Sequence, residues 1–87
     1  MKRYYSLVCL DQNLKTYFLH RQSNSFSEAR VAACQSLFDY SVVYHDQKIR
    51  AAVVSLDSGT LNFADQYDLD NLYLDQTVLQ IIERVYP

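Results

Sequence analysis

Residues 4–21, YYSLVCLDQNLKTYFLHR, decide the fold. Tyr4 to Leu10 is dense in aromatic and branched side chains and reads as a strand. Asp11-Gln12-Asn13 is turn chemistry, because Asp and Asn side chains bond the local backbone and Asn tolerates positive φ. From Leu14 the residues alternate, with Leu14, Thr16 and Phe18 on one side and Lys15, Tyr17, Leu19 and Arg21 on the other. Two strands joined by a short polar loop make an antiparallel hairpin. Its apolar residues sit on both faces, so one face needs a cover beyond a single helix.

Downstream, Ser25-Phe26-Ser27-Glu28 fits a capping box, in which the Ser25 hydroxyl accepts from the helix N-terminus and Glu28 reaches back. Phe26, Ala29, Ala33, Leu37 and Tyr40 recur at three- and four-residue spacing and predict the inward stripe of a helix. Residues 41–56 fit two readings. Ile49, Ala52, Val53 and Leu56 match a helical stripe, while Val42, Val43, Tyr44 and the Asp57-Ser58-Gly59 turn favour strands, the last one feeding a strand from Thr60 to Ala64. Strands are the preferred reading. Asp65 to Leu74 reads as an ordered acidic loop with at most one helical turn. Asp75 then caps a closing helix striped by Val78, Ile81, Ile82 and Val85. The expected class is α+β, an antiparallel sheet with helices packed against it in the order β-β-α-β-β-β-α.

The 87 residues allow one domain, spanning 1–87, and one core. An apolar share of 49% is that of a folded chain, and a single Gly and a single Pro leave no linker. Cys9 and Cys34 are too few for a disulfide framework and read as buried thiols in a reducing compartment. Met1-Lys2-Arg3 before Tyr4 to Leu10 is too short an apolar run for a signal peptide, and no stretch reaches the ~20 apolar residues that cross a bilayer. The expected location is the cytoplasm, with no membrane partner.

Enzyme chemistry finds little footing. One Gly cannot build a phosphate-cradling loop. His20 and His45 lie far apart, and gathering Cys9, His20, Cys34 and His45 at one metal would need four separate elements to converge. Asp68 and Asp70 lack the Gly and terminal Glu of a calcium loop. No catalytic residue, cofactor or metal ligand is assigned.

Charge is the more telling signal. Residues 1–50 hold seven bases and four acids, whereas residues 51–87 hold one base and six acids. Asp57, Asp65, Asp68, Asp70 and Asp75 follow one another with no Lys or Arg among them, and Phe63, Tyr67 and Tyr73 are interleaved. Acids interspersed with aromatic anchors suit a basic protein surface: Tyr supplies stiff contact area at little entropic cost, and the charge steers encounter. The competing reading is an ordinary solvated face. The stretch from the helix onward follows the element order of double-stranded RNA-binding domains, but its shortage of bases argues against phosphate contact. Only Lys2, Arg3, Lys15 and Arg21 of the hairpin offer such contact.

The hairpin at residues 4–21, the helix start SFSEARVAA at 25–33 and the returning strands at 41–56 together resemble small phage-encoded anti-CRISPR proteins. The likeness is architectural, covers residues 4–64, and carries no residue motif to transfer. It implies a stoichiometric inhibitor that blocks a bacterial defence complex, commonly at its basic nucleic-acid surface. The charge pattern and this resemblance together lead us to expect a non-enzymatic inhibitor docking Asp57, Phe63, Asp65, Tyr67, Asp68, Asp70, Tyr73 and Asp75 on a basic region of a bacterial defence protein, such as a CRISPR effector complex. An antitoxin or immunity protein neutralising a basic toxin would use the same physics. The alternatives are a nucleic-acid-binding regulator working through the basic hairpin and a self-associating homodimer.

Overall fold

A computed structural model describes residues 2–9, 16–42, 49–57, 59–63, 65–68, 70–71 and 77–84, with Glu83 and Arg84 by backbone alone. The elements are β1 (Arg3–Cys9), β2 (Thr16–Ser23), α1 (Phe26–Ser41), β3 (Ile49–Leu56), β4 (Gln66–Asp68) and β5 (Thr77–Arg84). All strand pairings are antiparallel, and the sheet runs β4-β2-β1-β3-β5.

The two-faced hydrophobicity of the opening segment has a direct cause: β1 is the central strand. Tyr5, Leu7 and Cys9 bury one face with Tyr17, Leu19, Ala52, Val54 and Leu61. Val8 buries the other with Ile49, Ala51 and Val53 beneath α1, which contributes Ala29, Ala33 and Leu37. The small Ala side chains let the helix approach the sheet closely. The cover beyond α1 that the hairpin required includes Leu61, with Tyr67 packed against the same cluster.

Ser25 caps the helix as expected, and Glu28 reaches back one residue beyond the cap. Glu28 N donates to Ser25 Oγ at 3.2 Å, and Asn24 N donates to Glu28 Oε2 at 3.2 Å. Of the expected inward stripe, Ala29, Ala33 and Leu37 are buried and Tyr40 is half-buried against the same cluster. Phe26 departs from it, standing exposed at the first turn.

The hairpin is antiparallel as expected and pairs from Tyr4↔Ser23 to Cys9↔Tyr17, two residues past its expected end at Arg21, with one irregularity. Ser6 faces Arg21 while Leu7 faces Leu19, so His20 is an extra residue in β2. A bulge shifts the alternation by one. Arg21, expected on the side of Tyr17 and Leu19, is therefore opposite Ser6, on the α1 side of the sheet. The peptide span 10–15 lies outside the described residues.

Four expectations are corrected. Val42 is the C-cap of α1, not part of a strand, and 43–48 lie outside the described residues. Thr60 to Phe63 is not a strand; Gln66–Asp68, assigned to the acidic loop, is one. Cys34 is exposed, on the outer side of α1, while Cys9 is buried as expected. The closing helix is strand β5. Thr77, Val78, Ile81 and Ile82 are β-branched, and β3 needs a partner for its outer backbone groups. The α+β class and the antiparallel sheet stand, and the choice between helix and strand for Ile49–Leu56 falls to strand.

Candidate docking surface

The acidic residues do not form one surface. Asp57 follows Leu56, which pairs with Arg3, whereas Asp68 pairs with Thr16, just beyond the Cys9↔Tyr17 pair. That register separates them by about 25 Å along the strands, at ~3.3 Å per residue. Asp57 instead belongs to the turn after β3. Its Oδ1 lies 4.0 Å from Lys2 Nζ, with both side chains well exposed, a geometry worth little in water. In the same turn Gly59, at φ +81°, offers its carbonyl to Arg3 Nη1 at 3.0 Å. Two bases of the opening hairpin are thus spent on this turn.

At the opposite end, β4 gathers three others. Asp65, Asp68 and Asp70 are all exposed around a three-residue edge strand. Asp70 N donates to Asp68 Oδ1 at 2.9 Å, and Asn62 Nδ2 donates to Asp65 Oδ2 at 3.3 Å, so local bonds hold two of the carboxylates in place. Phe63, two residues before Asp65, has 69% of its surface in water. Carboxylates on a short edge strand also discourage edge-to-edge pairing.

Tyr67 does a different job from the one its neighbours suggested. It pairs with Tyr17 across β2 and β4, and its ring packs on the buried cluster opposite α1. Its hydroxyl accepts from Asn62 N at 2.8 Å. The side chain fastens β4 and the preceding turn to the sheet, which leaves Phe63, among the described residues, as the exposed aromatic of the patch. Tyr73 and Asp75 lie outside the described residues.

Two features escaped the sequence reading. Val31, Phe38 and Val42 stand exposed on the outer side of α1. Their seven- and four-residue spacing is a second helical stripe, on the side away from Ala29, Ala33 and Leu37. The second is His20, which is half-buried with Nδ1 3.2 Å from Ser6 Oγ. Burial first, and the Arg21 charge second, hold its imidazole below the usual 6.5, with Asp39 pulling the other way. His45 lies outside the described residues.

Two open grooves flank α1. One, of about 540 Å³, runs between its N-terminal half and the Arg21–Ser23 end of β2. The other, of about 510 Å³, lies on its outer side beside Phe26, Arg30, Cys34 and Phe38. Among the described residues no three His, Cys, Asp or Glu side chains come together to hold a metal, and no helix is long and apolar enough to cross a membrane. No family model, curated protein or solved structure matches the chain.

Proposed function

We propose that the chain is a non-enzymatic protein-binding module that docks its β4 edge on a basic region of another protein. One observation carries this reading: exposed Phe63 and three exposed carboxylates, Asp65, Asp68 and Asp70, all fall within eight residues around β4, which Tyr67 fastens to the sheet. An apolar anchor close in sequence to several like charges, beside a strand that is fastened to a sheet, loses little entropy on docking and disfavours acidic partners. Asp57 is left out of the docking set because the sheet carries it to the far end. The narrower identity, a phage or mobile-element inhibitor of the anti-CRISPR kind, draws support from the hairpin, helix and returning strand in that order. An antitoxin acting on a basic toxin would present the same edge.

The test is affinity capture from a bacterial lysate, with the intact chain and its Phe63→Ser variant as parallel baits. A basic protein retained by the first, weakly retained by the second and released as salt rises supports the reading. Equal retention by both baits contradicts it.

A further inference from the structure

We infer that the outer side of α1 receives an amphipathic α-helix of a partner protein, apolar along one stripe and carrying an acidic side chain opposite Arg30. This goes beyond docking at β4 and uses none of its residues. α1 inverts the usual order of sizes. Toward the sheet it buries Ala29, Ala33 and Leu37, while Phe26, Val31, Phe38 and the C-cap Val42 stand exposed. Four of the six exposed large hydrophobic side chains among the described residues are these. A helix that is apolar on two opposite sides belongs between two layers, and the sheet supplies one of them.

The outer groove fixes the shape of the second layer. Phe26, Arg30, Cys34 and Phe38 line it as one row, and Ser27, Val31 and Gln35 as another. Within each row the residues are four apart, so the groove is the furrow between two neighbouring helical ridges. Such a furrow accepts the matching ridge of a second helix, crossing at about −50°. Phe26 and Phe38 mark its ends, about 18 Å apart along the axis at ~1.5 Å per residue. Charge then selects the partner. Among the described residues Arg30 is the one charged side chain in the lining, and it is exposed without an ion pair. The acids of α1 lie outside the lining: Glu28 accepts from Asn24 N, and Asp39 accepts from Gln35 Nε2. A second copy of α1 would bring two Arg30 side chains into one interface, with no acid in either lining to offset them. An acidic side chain on the incoming helix offsets that charge and sets its register.

The test is selection on the immobilised full chain from a display library of alanine-based helical peptides, randomised along one face. Fluorescence anisotropy with a labelled winner follows. The expected winners repeat apolar residues at three- and four-residue spacing and hold an acid at one fixed position of that stripe. Arg30→Glu should weaken binding about tenfold or more, and reselection on that variant should turn the fixed position basic. Phe38→Asp should weaken binding too, while Phe63→Ser, beside β4, should leave it unchanged. On the natural chain, bound peptide should slow alkylation of the exposed Cys34 thiol by iodoacetamide. Absence of enrichment, indifference to both Arg30→Glu and Phe38→Asp, dependence on Phe63, or unslowed Cys34 alkylation would overturn the inference. So would light scattering that shows a dimer dissolved by Phe38→Asp, which gives the face to a second copy. Cosedimentation with phosphatidylcholine–phosphatidylserine vesicles that Phe38→Asp abolishes would overturn it in favour of a membrane surface. Lysate capture that depends on Phe63 would survive any of these failures, so the two readings fall separately.

Discussion

Val78 and Ile81 stand on the same face of the sheet although three positions separate them. Val54 pairs with Val78 and Val53 with Gln80, so Leu79 is an extra residue in β5. Val78 and Ile81 both pack on the cluster opposite α1, while Ile82 packs on the α1 side. The bulge converts strand alternation into the three-residue spacing of a helix. Removing apolar contact at Ile81 should therefore cost more than at Leu79, which is 40% exposed. Ile81→Ala should lower unfolding free energy by about 1–2 kcal/mol and Leu79→Ala by about 0.5 kcal/mol or less, read from urea melts. Equal losses would argue against the bulge.

Tyr5 offers a test of the buried face. Its side chain is inaccessible to solvent, and among the described residues its hydroxyl has no hydrogen-bond partner. An unsatisfied buried hydroxyl costs about 1–3 kcal/mol. Tyr5→Phe keeps the ring and removes the unpaired group, so it should raise the urea midpoint, by about 1 kcal/mol of stability. A destabilised Tyr5→Phe variant would mean that the hydroxyl has a partner after all.

His20 predicts a pH dependence. Its folded-state pKa lies below the 6.5 of the unfolded chain, mainly through burial and then Arg21. The neutral ring is therefore the form that the fold favours. Between the two values the unfolded chain binds more protons, so stability rises with pH in that window. The contribution is complete above about 6.5 and is lost as pH falls towards the folded value. His20→Gln should flatten the curve of unfolding free energy against pH in this range. A wild-type curve that is equally flat would contradict the assignment.

How far the sequence could be read depended on where each residue's partners lie. The hairpin and the capped helix are local: turn residues, alternation and the Ser25-Glu28 pair all act within a few positions. β4 and β5 are products of the sheet. Gln66–Asp68 is too short to show a period, and β5 imitates a helix because of Leu79. The candidate site divides the same way. Composition exposed the run of aspartates, but only the register could show that Asp57 and Asp68 end up on opposite ends of the sheet. The inward turn of Tyr67 likewise follows from its pairing with Tyr17, fifty positions away.

The carboxylates of the β4 edge bear most directly on the functional claim. With a captured partner in hand, its Kd should be measured for the natural chain and for a variant carrying Asp65→Asn, Asp68→Asn and Asp70→Asn. All three side chains are exposed, so the fold should be retained. At about 0.5 kcal/mol per lost charge contact, affinity should fall roughly tenfold and lose much of its salt sensitivity. A Kd and a salt dependence both unchanged in the triple variant would contradict the claim that this edge meets a basic surface.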